Sequence, residues 1–323
     1  VAKYFKDQRL RQLMEFPVLF LGATPQNTPA LYSLMNYADM SLGTWYPMGG
    51  MGRIIDAMVK LAREEGVDLR TDSPVERILV EDGRAAGVQV NGEELRADVV
   101  VAAADYHHAE NLLAPEHRTY SESYWKGRVM APSSLLFYLG FDRELPRMEH
   151  HNLFFDEPLD QHAREIYDDP KWPTRPLLYT SCGTKTDPSV APAGHENMVV
   201  LIPIAPGLED TPEVRERYLQ LTLDRLTRHT GVDLRAHLVL QRSFCINDFV
   251  NDYNSFRGNA YGLANTLTQT AVLKPRIKSR KVKGLYFTGQ LTVPGPGVPP
   301  TLISGQVVAD LIEQEHAKHR LRA

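Results

Sequence analysis

GLYFTGQLTVPGPGVPPTLISGQVVADLI, residues 284–312, spells a strand, a bend and a helix in succession. Leu285, Tyr286 and Phe287 form a short apolar run that ends at Thr288 and Gly289. The bend is rich in proline and glycine from Pro294 to Pro300, and Leu302, Gly305, Val308, Leu311 and Ile312 then mark the expected buried face of a helix. Glycine lets a backbone approach a ligand closely, and proline suits a first helical turn because its missing N–H is not needed there. A helix start also carries free N–H groups and partial positive charge. Together these suit a flat cofactor that takes on negative charge, such as the N1–C2=O edge of a reduced flavin. A strand-to-helix crossover that holds no ligand has the same signature, and these residues alone leave both readings open.

Just upstream, Lys274, Arg276, Lys278, Arg280, Lys281 and Lys283 form the densest basic run. It is expected to be a solvated loop, with contact to anionic lipid headgroups as the lesser alternative. Two aromatic groups, Tyr253, Phe256, Tyr261 and Tyr120, Tyr124, Trp125, are expected in ordinary core, with the lining of an apolar tunnel as the alternative. Further back, residues 134–141, 177–181, 198–204 and 237–244 have strand character, and 212–229 has helical character. That pattern predicts an antiparallel sheet with helices beside it.

The first third holds predicted helices over residues 3–16 and 29–41, with a loop at 20–25 between them. A third helix begins near Met51, with Met51, Ile54, Met58 and Leu61 as its expected buried face and Gly66 as its C-terminal stop. Strands are expected at 67–70, 75–81, 85–90 and 98–103, with hairpin turns at Asp82-Gly83 and Asn91-Gly92.

The chain has 323 residues, 36 basic and 40 acidic, for a net charge of -4. That balance exerts no general pull on nucleic acid. Hydrophobic content of 43% and charged content of 24% are those of an ordinary globular protein. The two cysteines, Cys182 and Cys245, make no disulfide framework and no paired-ligand metal site. No apolar run approaches the roughly 20 residues of a membrane-spanning helix.

Several local motifs are excluded by their spacing. Gly49, Gly50 and Gly52 lack the third glycine and the preceding strand of a dinucleotide fingerprint. The pairs His107-His108 and His150-His151 are adjacent and so point apart on a strand, while His316 and His319 lie in a charged tail. There is no GxSxG nucleophile elbow. Asp105 follows the apolar run VVVAAA and is expected to cap the helix that begins at Tyr106.

Long motifs set in order reach further. YFKDQRLRQL (4–13), WYPMGGMGRIIDAMVKLA (45–62), SPVERILVEDGRAAGVQV (73–90), ADVVVAAAD (97–105), FRGNAYGLANTLTQTAVLKP (256–275) and the opening stretch resemble the bacterial-type carotenoid (phytoene) desaturases. These are flavoproteins of the amine-oxidase-like superfamily, and the resemblance covers essentially the whole chain. It implies an α/β (α+β) fold: the C-terminal part of a Rossmann-like FAD domain, plus a substrate domain of mixed or antiparallel sheet with flanking helices. Residues 49–115 and 275–323 would be FAD-domain segments, 1–48 a helical part of the substrate domain and 116–274 its remainder.

Carried over by position, the resemblance sets Val75 beside the adenosine part of FAD, with Ala104 and Asp105 closing the adjacent strand. Gly289 and Gln290 would meet the pyrophosphate and ribityl chain, and Gly297, Val298 and Pro299 would lie at the helix start beside the flavin ring. The family's opening GxGxxG unit does not occur here, so this chain alone is expected to bind FAD weakly or not at all. The family's acidic catalytic residue falls upstream of Val1, and no catalytic residue is assigned. The activity implied is FAD-dependent desaturation of phytoene toward lycopene or a related carotenoid. A related amine oxidase and a non-catalytic fragment are the alternatives. The implied partners are a hydrophobic polyene and a membrane surface docked from one side (monotopic), with no nucleic acid and no specified electron acceptor. The implied location is cytoplasmic and peripheral to the membrane.

Overall fold

The computed structural model describes residues 1–17, 22 and 24–320, the side chains of 318–320 excepted. Phe20, Leu21 and Ala23 of the expected 20–25 loop lie outside the described residues, as does the side chain of His319. In chain order the elements are α1 (Gln8–Glu15), α2 (Leu34–Tyr37), α3 (Gly52–Glu64), β1 (Val75–Glu81), β2 (Arg84–Val90), β3 (Glu93–Arg96) and β4 (Val100–Ala102). Next come α4 (Tyr106–Asn111), α5 (Glu122–Lys126), β5 (Ser133–Phe141), β6 (His151–Phe154), α6 (Leu159–Tyr167), β7 (Leu178–Ser181) and β8 (Glu196–Ile204). The chain continues through α7 (Pro212–Thr230), β9 (Leu238–Phe244), α8 (Ile246–Tyr253), β10 (Leu285–Phe287) and α9 (Val298–Arg320). Helix and sheet are mixed, as the α/β (α+β) reading requires. The chain divides into two compact units, one of residues 1–14, 33–70 and 133–248, the other of 15–32, 71–132 and 249–323. Their boundaries differ from those expected at 49, 116 and 275: α3 belongs with the first unit, and residues 249–274 with the second.

The first unit is organised by an antiparallel sheet in the order β6-β7-β8-β5-β9. Strand side chains alternate between two faces. On one face Leu135, Phe137, Leu139, Phe141, Met198, Val200 and Ile202 are buried against Leu219, Leu223 and Leu226 of α7. Thr211 caps α7 by accepting from the Val214 N–H, Pro212 fills its first turn, and Gly231 ends it in the left-handed conformation. The other face carries a row in cross-strand register: Leu153 opposite Tyr179, Tyr179 opposite Leu201, Leu201 opposite Leu136, and Leu136 opposite Phe244.

The second unit holds the β1-β2-β3 meander and the parallel pair β10-β4. Both expected turns form, with positive φ at Asp82, Gly83, Asn91 and Gly92, as two-residue hairpin loops require. Its core gathers Ile78, Tyr106, Trp125, Leu263, Leu285 and Phe287. Tyr106 stacks on Phe287 at 4.0 Å between ring centroids, and Tyr120, Tyr124 and Phe256 pack around Trp125. These aromatics are therefore core, whereas Tyr253 is 61% exposed.

Three expectations need correction. Residues 67–70 form no strand. The expected buried face of α3 is exposed, with Met51, Met58 and Leu61 all about half open to solvent or more. In α9 the inward row is Ser304, Val308, Leu311 and Ile312, while Leu302 and Gly305 face outward. The helix is apolar on more than one side, so periodicity alone did not select the face.

Candidate functional site

In the second unit, parallel strands β4 and β10 run side by side, with Leu285, Tyr286 and Phe287 opposite Val100, Val101 and Ala102. The crevice outside the carboxyl ends of parallel strands is where open α/β sheets bind ligands. β4 leads there into Ala103, Ala104 and Asp105, and β10 into Thr288, Gly289 and Gln290. The Thr288 N–H donates to the Ala102 carbonyl at 3.0 Å, which carries the pairing one residue past β10.

A hydroxyl cluster sets the path of the bend. Ser304 Oγ, fully buried in α9, accepts from the Gly289 N–H at 3.1 Å and bonds Thr288 Oγ1 and Thr292 Oγ1, each at 2.9 Å. Thr292 Oγ1 also donates to the Gly289 carbonyl. Gly289 has φ 105 and Gly297 φ 110, a region in which a side chain is strained. Gly297, Val298 and Pro299 are exposed at the start of α9. Pro299 and Pro300 have no N–H, so the helix start offers fewer donors than a generic first turn.

Asp105 does what its position after the apolar strand suggested. One carboxylate oxygen accepts from the His107 and His108 N–H groups at 3.0 and 3.3 Å and so caps α4. The other accepts from the Phe256 N–H at 3.1 Å and from Asn259 Nδ2 at 3.5 Å. Burial pushes the Asp105 carboxyl above its usual range, against the opposing pull of these donors. Asn259 Oδ1 in turn accepts from the Gly262 N–H at 2.7 Å and from Gln290 Nε2 at 3.3 Å. A polar chain thus joins Asp105, Asn259 and Gln290 across the ends of both strands. Asn259 was missed in the sequence; its only signal was an Asn-x-x-Gly spacing within FRGNAYG. Val75 begins β1, in the meander, and among the described residues no hydrogen bond links it to this polar chain.

The basic run is not one solvated loop. Residues 277–279 pair with β10 on its other edge: Ser279 donates to the Leu285 carbonyl, and Phe287 donates to the Ile277 carbonyl. Lys278 pairs with Glu315 at 2.5 Å, and Arg276, Arg280, Lys281 and Lys283 are exposed. Lys274 lies three residues before the 277–279 stretch and therefore beyond the carboxyl end of β10. It is only 4% exposed, and its Nζ has no hydrogen-bond partner among the described residues. The buried Asn265 Oδ1 lacks a partner as well. A Cβ placed on Gly295 would stand 3.5 Å from Lys274 Nζ and 3.8 Å from Asn265 Nδ2. An unsatisfied donor and an unsatisfied acceptor beside a glycine bend, at the ends of parallel strands, fit a ring that bears both a carbonyl oxygen and an N–H.

The chain belongs to the flavin-containing amine oxidoreductase family, which matches residues 1–312. That membership implies a flavin cofactor. Within the family, carotenoid desaturases are similar to this chain: it is 44% identical over 318 residues to the carotenoid 3,4-desaturase of Haloarcula japonica, covering 98% of this chain. It is 35% identical to the zeta-carotene-forming phytoene desaturase of Myxococcus xanthus, again over 98% of this chain. The chain spans 64% and 62% of the lengths of these two relatives. Among solved structures, an oxidoreductase from Methanosarcina mazei superposes with a TM-score of 0.63 at 19% identity, covering 97% of this chain and 67% of that one. At that identity the likeness concerns the fold alone.

Proposed function

We propose that the intact protein carrying this chain is an FAD-dependent carotenoid desaturase. The observation that carries the reading is the cross-strand row Leu153, Tyr179, Leu201, Leu136 and Phe244 on the second face of the five-stranded sheet. Five strands at about 4.8 Å spacing give it a length of roughly 19 Å. The row holds no ionisable carboxylate or amine, and a hydrocarbon chain can be held there by apolar contact. A polar amine substrate would want a charged partner on such a surface, so the row disfavours an amine oxidase.

FAD, when bound, supplies the hydride acceptor for dehydrogenation of a saturated carbon pair. In this chain Gly289 and Gln290 would lie along its pyrophosphate and ribityl chain, and Gly297, Val298 and Pro299 beside the ring. Asp105 and Asn259 hold Gln290 and the strand ends in place. Ala104 extends the same strand end, and Val75 is proposed for the adenosine side.

Phytoene is the substrate proposed from the sequence motifs. The 44% identity with a 3,4-desaturase favours a second reading, in which a carotenoid that is already conjugated is desaturated near its end. Feeding the intact protein phytoene and lycopene in separate lipid vesicles and analysing the products by chromatography decides between them. Turnover of neither, with an amine oxidised instead, would overturn the desaturase reading.

A hydrocarbon substrate points to a membrane as its source. No helix among the described residues is long and apolar enough to cross one. One-sided docking is supported by exposed Leu34, Tyr37, Met40, Leu42, Trp45 and Met48, with Trp45 88% open. Apolar insertion through this segment is preferred to attraction by the basic run, which is split between buried, paired and exposed residues.

A further inference from the structure

We infer that Lys274, with Asn265 beside it, is the cationic wall of the flavin-ring site, its ammonium facing the N1–C2=O edge of the ring. The inference rests on the flavin reading above and assigns a site role to two residues that had none in the sequence analysis.

An ammonium group has three donors and no acceptor, and taking it out of water without a partner is unfavourable. Folded proteins pair such groups or use them. Lys274 Nζ is buried, and among the described residues neither a carboxylate nor a carbonyl accepts from it. The neighbouring Asn265, 1% exposed, has an unsatisfied Oδ1. An ammonium and an amide together offer donors to a ring carbonyl and an acceptor to a ring N–H. A flavin's pyrimidine edge presents that mixture.

The location agrees. Lys274 and Asn265 both border the space left by the missing side chain of Gly295, whose φ is 135. The pairing of residues 277–279 with β10 delivers Lys274 to the carboxyl end of that strand. Pro299 and Pro300 deprive the α9 start of two N–H groups, so a side-chain cation supplies what a proline-free first turn would offer. Negative charge gathers on the N1–C2=O edge when the ring is reduced, and a fixed cation there stabilises it.

The test uses the intact flavoprotein and sulfite, which adds at flavin N5 and places negative charge on the N1–C2=O edge. Lys274→Met should keep its flavin and lose sulfite affinity by on the order of tenfold or more, and Lys274→Arg should retain most of it. A Lys274→Met protein with bound flavin and wild-type sulfite affinity would overturn the inference while leaving the flavin reading intact. An intact protein without flavin would overturn both. If Lys274→Met does not fold, the [13C]dimethyl-Lys274 resonance of the wild-type chain decides. It should move with lumiflavin and stay still with inorganic phosphate. Movement with phosphate alone, or with neither, would defeat the assignment.

Discussion

The two units treat buried charge differently. In the first, Asp210 has a fully buried side chain and is gripped by Arg215 through two bonds of 2.7 and 2.6 Å. Glu196 is paired with Lys185 at 2.8 Å and accepts from the Leu145 N–H. Arg225 is held by Asp156 and the Pro176 carbonyl. The buried His162 accepts from the Leu177 N–H and donates to the Pro203 carbonyl. In the second unit Asp105 and Glu110 are likewise satisfied by backbone N–H groups. Lys274 stands apart, with no partner among the described residues. Paired charges serve the fold. An unpaired one lowers stability and marks a place where something other than stability set the residue.

The sharpest way to break this contrast is to remove one member of a paired group. Arg215→Met leaves Asp210 buried without its guanidinium and should cost about 3–5 kcal/mol. Urea denaturation of the chain measures it, and a loss under about 1 kcal/mol would mean that the pair is peripheral to stability.

Acid should act on the same unit. Burial holds His162 down at about 4, below the ordinary histidine value of 6.5. The unfolded chain therefore binds a proton that the folded chain refuses between those values. Stability is full above about pH 6.5 and falls as pH drops toward 4, by an amount approaching about 3 kcal/mol. His162→Gln should flatten this part of the stability-pH curve.

Lys274 should behave in the same sense over a higher pH range. Burial lowers it from 10.5 to about 8, so below pH 8 the folded chain carries a charge it would rather shed. Stability should rise as pH increases from about 8 to 10.5, and Lys274→Met should stabilise the chain at pH 7 by about 2–3 kcal/mol. If the variant is instead destabilised at pH 7, the ammonium has a partner within the fold and the contrast between the units disappears.

Gly297→Val forces a branched side chain into φ 110, with its Cβ about in contact with Pro300 Cδ at 3.3 Å. The strain should cost about 1–3 kcal/mol, leave most of the fold in place and abolish turnover of the intact protein. Wild-type flavin content and turnover would remove Gly297 from the ring site.

The smallest expected effect is that of salt on membrane binding. Flotation with anionic vesicles should change little between low and high salt if Trp45 and its apolar neighbours insert. A strong loss at high salt would shift the contact to the exposed members of the basic run, each contributing on the order of 1 kcal/mol.

Sequence by itself determined whatever is decided within a few residues. Apolar, strand-forming runs located β1, β2, β5, β7, β8 and β9; Asp82-Gly83 and Asn91-Gly92 fixed two hairpin turns, and Thr211 and Pro212 opened α7. The strand, bend and helix of 284–312 were legible for the same reason, because glycine, proline and apolar spacing act locally. β6, α6 and α8 escaped notice, being short and polar, with burial supplied by neighbours distant in sequence. The exposed side of α3 was not legible either, since a helical stripe tells which residues share a face and not whether anything covers it. The tertiary structure alone decided that Asp105, Asn259 and Gln290 meet, and that Lys274 leaves its basic neighbours and turns inward beside Gly295. A side chain's charge is written in the sequence; its distance from water is set by segments far from it along the chain.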